Sequence, residues 1–158
     1  HMASGIFLHR LLKLVELAAP VRSELRPVIV ACFPDEYHQL GALIVAYQLC
    51  RRGLRVVFLG AALPFEDLES ACVALRPSTV LLSATRPALF QVHRRGLLET
   101  ARRDAKGVQF YIGGQGAPVD DPQLAQVGVR IAPKTGDLKE SVDLLADEIR
   151  KSAKRATL

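Results

Sequence analysis

The sequence predicts an α/β fold: a doubly wound, five-stranded parallel sheet covered by helices on both faces, with one extra helix ahead of it. Three observations predict it. Short apolar runs of strand length, residues 28–33 first among them, show no polar alternation and so suit strands buried on both faces. The segments between these runs carry apolar residues at helical spacing. Parallel neighbours need long crossover connections, and helices of this length supply them.

Residues 1–4, His-Met-Ala-Ser, read as an expression-tag remnant and are set aside. Residues 5–26 form an N-terminal unit of helix and linker, in which Phe7, Leu11, Leu14, Val15 and Ala18 follow one stripe that Pro20 ends. This helix has no partner in its own neighbourhood. It either packs on the sheet domain or closes a helical domain upstream. The α/β domain takes residues 27–151, and a basic tail takes 152–158.

Within that domain the first strand is followed by a helix carrying Leu40, Leu43, Ile44 and Tyr47, with Gly53 placed to cap its end. Residues 55–60 form the second strand, and Pro64, Phe65, Leu68, Cys72 and Leu75 mark the next helix. Arg76-Pro77 resets the chain for a third strand over 79–83; a helix follows over 88–104, with Leu89, Val92, Gly96 and Leu97 on one stripe. A fourth strand over 108–112 stops at Gly113-Gly114-Gln115-Gly116. A short helix at about 121–127, a short strand at 129–131 and a closing helix from 137 complete the alternation. The expected strand order is 2-1-3-4-5, which is flavodoxin-like, with a switch point between the first and third strands.

At 158 residues the chain is one domain of ordinary globular composition, and its net charge of +5 is scattered over local pairs such as Arg51-Arg52 and Arg94-Arg95. Most of that charge reads as solvated helix surface. Cys32, Cys50 and Cys72 form no Cys-x-x-Cys pair, so neither a zinc site nor a disulfide framework is indicated. No apolar run approaches bilayer-spanning length, and the expected setting is cytoplasmic. No Gly-x-Ser-x-Gly elbow occurs, the glycines after the fourth strand lack the Lys-Ser/Thr ending of a phosphate loop, and the third strand ends in Ser83 where a phosphoreceiver needs aspartate. His9 and His93 lie on predicted helices without a carboxylate at useful spacing and read as surface residues.

The candidate site follows from the switch point, since ligands bind beyond the carboxyl ends of the strands there. Glu36 and His38 are two apart, so in an extended loop they share a side, provided the helix starts late. A carboxylate there can hold one ring nitrogen while the other faces a metal. Gly41, three residues past His38, clears space one turn along. Ser83 and Thr85 place two hydroxyls after the third strand, and Gly113-Gly114 permits close approach to the backbone after the fourth. Taken singly, each motif also suits a plain structural role: a solvated capping turn, a strand-to-helix turn and a tight turn of positive φ.

Jointly, Glu36-x-His38-x-x-Gly41, Ser83-x-Thr85 and Gly113-Gly114 at these strand ends resemble the cobalamin (vitamin B12)-binding domain family over roughly residues 26–150. The resemblance implies His38 as lower axial ligand of cobalt in base-off cobalamin, Glu36 as its orienting group, and Gly41 as clearance for the nucleotide tail. It further implies that Tyr37 flanks the ligand, that Ser83 and Thr85 line the slot for the displaced base, and that Gly113-Gly114 borders the tail. The cofactor implied is cobalamin in adenosyl, methyl or hydroxo form, with haem as the alternative. Glu in place of the commoner Asp, with Leu59-Gly60-Ala61 and Pro64, looks most like the C-terminal domain of light-responsive MerR-type regulators and related photosynthesis-gene antirepressors. That implies a sensory rather than enzymatic role and a transcription factor or DNA-binding domain as partner, upstream or in trans. Neither direct DNA binding by this stretch nor membrane association is implied, and a homo-oligomer is compatible. A corrinoid carrier for a methyltransferase or mutase is the enzyme-linked alternative.

Overall fold

The computed structural model describes residues 2–20, 25–104 and 107–155. The elements alternate as expected: α1 (Met2–Ala18), β1 (Val28–Cys32), α2 (Leu40–Arg51), β2 (Val56–Gly60), α3 (Phe65–Leu75), β3 (Thr79–Ser83), α4 (Pro87–Asp104), β4 (Gln109–Gly113), α5 (Pro122–Gln126), β5 (Val129–Ile131) and α6 (Leu138–Arg155). All pairings are parallel and the strand order is β2-β1-β3-β4-β5.

The uninterrupted apolar strands serve two cores, because successive side chains point to opposite faces. Val28, Val30, Leu81 and Tyr111 join Leu43, Leu49, Val142, Leu145 and Ile149 on one face. Ile29, Ala31, Val80, Leu82, Phe110 and Ile112 join Leu68, Phe90, Leu97 and Leu124 on the other. Ile29 and Val30 are both fully buried, and each such side chain stabilises the fold by about 1.5–3 kcal/mol. Tyr111 crosses the first core to donate to Glu148 of α6 at 2.9 Å. Burial, then the neighbouring Glu148, push its hydroxyl pKa up to about 12.

Several boundaries and stripes differ from expectation. Two positions assigned to the α1 stripe face outward, Phe7 at 55% and Leu14 at 45% exposure, and the packed stripe runs through Leu8, Leu11, Leu12, Val15 and Ala18. The helix lies on α2. It begins at Met2, so three of the residues set aside as a tag remnant are helical. On α4, Val92 is 72% exposed because the sheet-facing stripe is Phe90, Leu97, Leu98 and Ala101, on the other side of the helix. Gly96 instead lets Phe65 pack close, since a Cβ there would stand 2.6 Å from that ring. Helix α6 runs to Arg155, into the segment expected to be a tail. Residues 21–24 of the linker, 156–158 of the tail and residue 1 lie outside the described residues. No described helix is long and apolar enough to cross a membrane.

Register fixes the site. Cys32 of β1 pairs with Ser83 of β3, and Ser83 with Gly113 of β4, so the three loops leave the sheet side by side.

Candidate functional site

Chain reversal begins directly after β1. The Glu36 amide donates to the Phe33 carbonyl at 3.0 Å, closing a turn with Pro34 and Asp35 at its centre. Pro34 suits the first central position, and Asp35 has φ +60, as the second central position of a type II turn requires. The turn sends Glu36 back under the strand ends, where it is fully buried. Residues 37–39 stay non-helical and α2 starts at Leu40, the late start the Glu36–His38 pairing needs.

The Glu36 carboxylate is saturated with donors. Oε1 accepts from the His38 amide at 3.1 Å and lies 2.6 Å from His38 Nδ1. Oε2 accepts from the amides of Thr85 at 2.9 Å and Arg86 at 3.1 Å. Burial works to raise this carboxyl, yet the donors from His38, Thr85 and Arg86 outweigh it and hold the group below the usual carboxylate range. Ionised Glu36 has no proton to give, so Nδ1–H of His38 is the donor. In the neutral ring Nε2 then carries the lone pair. The His38 side chain is 64% exposed, and Nε2 has no partner among the described residues.

Surroundings of the ring divide into open and filled space. A Cβ at Gly41 would meet nothing within 4 Å, so this exposed position is open. Tyr37 at 71% and Leu40 at 44% exposure offer apolar surface beside His38. Ser83 and Thr85 are half-buried, and among the described residues no group bonds either hydroxyl. At the glycine loop, the close approach is made by the protein's own backbone. Gly114 has φ +94, and a Cβ there would stand 2.4 Å from the Ala84 carbonyl oxygen; one at Gly116 would stand 2.7 Å from the Arg86 carbonyl carbon. The Ala84 amide donates to Gly113 and the Gly116 amide to Ala84. The glycines thus press the loop of Ala84–Arg86 into place, which aims the Thr85 and Arg86 amides at Glu36.

Several contributors escaped the sequence. Cys32 lies beneath the loop with its thiol directed at the His38 carbonyl at 4.0 Å. Burial, then the Glu36 charge, push its pKa up to about 11, so it stays a thiol. The β2–α3 loop also braces the site, since the Ala62 amide donates to the Glu36 carbonyl at 2.8 Å. The assignment of His93 to the plain surface is corrected: its Nε2 lies 2.7 Å from Asp35 Oδ2. Those residues are 58 apart, and only the packing of α4 beside the turn joins them. His9 is exposed, as expected.

The sequence profile of the B12 binding domain matches residues 26–137. The HTH-type transcriptional repressor CarA of Myxococcus xanthus is 31% identical over 138 residues, 87% of this chain and 47% of that protein. The HTH-type transcriptional repressor CarH of the same organism is 35% identical over 117 residues, 74% of this chain and 38% of that protein. This chain therefore spans less than half the length of either repressor. Among solved structures, a Methanosarcina barkeri monomethylamine corrinoid protein has a TM-score of 0.64 at 17% identity, covering 92% of this chain and 65% of that one. A cobalamin-binding protein from Desulfitobacterium hafniense has a TM-score of 0.59 at 18% identity, covering 84% and 60%. At such identities these two structures show a shared fold.

Proposed function

This chain belongs to the B12 binding domain family, and on that premise we propose that it holds cobalamin base-off, with His38 as lower axial ligand, as the sensory module of a transcriptional regulator or antirepressor. The observation that carries the reading is the state of the His38 ring: Nδ1 is engaged by buried Glu36 while Nε2 is exposed and unpartnered among the described residues. A ligating imidazole needs this arrangement, because the carboxylate fixes the tautomer and raises the basicity of the free nitrogen. Among the described residues no three potential ligands gather in one place. A lone imidazole suits a metal whose other positions a macrocycle already fills.

The residues present fit that ligand. Gly41 leaves open space, Tyr37 and Leu40 offer apolar contact, and the Ser83 and Thr85 hydroxyls are available to a polar tail, with Gly113 and Gly114 shaping the neighbouring loop. When bound, cobalamin supplies a cobalt centre with an exchangeable upper ligand, the chemical change that a sensor reports. The repressor relatives support a regulatory output through a DNA-binding part, in the same polypeptide or in trans. Because those relatives are repressors, they also support a regulatory rather than an enzymatic role.

The test is an absorption spectrum of the purified chain after incubation with hydroxocobalamin and desalting. The expected result is retained cobalamin whose spectrum loses its imidazole signature in His38→Ala. Cobalamin lost on the column, with hemin retained in a parallel sample, would move the ligand to haem. Haem has no nucleotide tail, so variants of Ser83 or Gly41 should then leave binding unchanged.

A further inference from the structure

The turn that delivers Glu36 is fastened from outside by α4. Asp35 stands at φ +60, a left-handed conformation that costs a non-glycine residue free energy and that neighbouring contacts can hold in place. Among the described residues, two side chains reach it. Nε2–H of His93 donates to Asp35 Oδ2 at 2.7 Å, and the Arg86 guanidinium donates to the Asp35 carbonyl at 3.3 Å. Arg86 also gives its amide to Glu36 Oε2, so one residue grips both halves of the turn.

His93 is seated by packing. Its side chain is 23% exposed, and its ring stands edge-on to Phe33, with centroids 6.3 Å apart at 78°. Phe33 is fully buried and contacts Phe65 and Phe90 in turn. The imidazole is thus fixed to the sheet core at one end and to the exposed Asp35 carboxylate at the other. The residue after Asp35 is Glu36, whose direction of entry depends on the Asp35 backbone.

We propose that His93 is a positioning residue of the ligating loop: through Asp35 it holds the turn that aims Glu36 at Nδ1 of His38, and so keeps His38 in the tautomer with Nε2 open. The consequence for a bound metal rests on the ligand reading above. The positioning itself does not, and it is testable on the chain alone.

Nitrogen-15 NMR of the purified chain without added cofactor reports the His38 tautomer and the exchange of the three amides that donate to Glu36. Wild type should show His38 as the Nδ1–H form, with slow exchange at His38, Thr85 and Arg86. In His93→Ala, His38 should show mixed tautomers and these amides should exchange on the order of tenfold faster, while amides inside β1 and β3 keep their protection. His93→Gln, whose side-chain amide can still donate to Asp35, should restore both signals. Asp35→Ala leaves the Phe33–His93 packing in place and should reproduce His93→Ala, which covers the case of a misfolded His93→Ala. An unchanged tautomer and unchanged exchange in Asp35→Ala would overturn the proposal. Hydroxocobalamin titration of the same proteins separates the two readings: wild type that fails to retain cobalamin sinks the ligand assignment, whereas the tautomer result alone decides the role of His93.

Discussion

Glu36 accepts the Thr85 amide at 2.9 Å across 49 residues of chain, and its other oxygen lies 2.6 Å from Nδ1 of His38. One carboxylate therefore ties the loop after β1 to the loop after β3 and orients the imidazole between them. Because the acceptor is an ionised carboxylate, these hydrogen bonds are charge-assisted. Glu36→Gln replaces one acceptor atom with a donor and sets it against N–H groups that need an acceptor. The expected cost is roughly 2–4 kcal/mol of stability by urea unfolding, with loss of the single His38 tautomer.

Two glycines should behave oppositely. Gly114→Ala forces a side chain to φ +94 and into the Ala84 carbonyl, so it should destabilise by about 3 kcal/mol or more. Gly41→Ala meets open space near the start of α2 and should leave thermal stability unchanged or raise it by about 0.5–1 kcal/mol. If the nucleotide tail uses that space, Gly41→Ala should nevertheless weaken cobalamin retention. A stable Gly41→Ala chain that binds cobalamin normally would remove Gly41 from the site.

Acid should weaken a different junction. Arg94 grips Asp121 through two bonds of 2.7 Å, and Asp121 also caps α5 by accepting from the amides of Gln123 and Leu124. The hydrogen-bonded Arg94 guanidinium holds the Asp121 carboxyl below its usual value against the opposing effect of burial, and the capping amides add to it. A lowered carboxylate pKa stabilises the fold above its unfolded value of about 3.9, and the contribution is lost as pH falls through the folded value. Asp121→Asn should therefore lower stability by about 1–3 kcal/mol at pH 7 and flatten its decline below pH 4, read by thermal melts across that range. Equal slopes for both proteins would sink the assignment.

All three cysteines are buried, and Cys32 has its pKa raised to about 11. A disulfide reagent at pH 8 should therefore label the native chain slowly and the urea-unfolded chain at once, because only thiolate attacks. Fast labelling of Cys32 in the native state would mean that the loop after β1 opens readily.

The sheet was legible because its information is local. Short uninterrupted apolar runs such as Val28–Cys32, bounded by breakers, suit strands covered on both faces, and Gly53, at φ +81 just past α2, ended that helix as its position implied. The Glu36–His38 pair was legible for the same reason, since both residues lie in one loop and alternate-residue geometry brings them together. Stripes were less so: Val92 and Leu14 fit a helical period, yet which face meets the sheet depends on neighbours far along the chain.

Non-local contacts were hidden. The sequence singles out the Thr85 hydroxyl, whereas Glu36 takes the Thr85 amide, and any residue type except proline carries that donor. Gly113 and Gly114 promised room for a ligand, and the room at Gly114 is taken up by the Ala84 backbone. The bond between His93 and Asp35 left no trace in spacing. Residue order set which segments became strands and helices and which loop carried the imidazole, because periodicity and steric preference act over a few residues. Folding chose which amides, glycines and imidazoles met at that loop, because those meetings depend on the packing of α4 and the alignment of three strand ends.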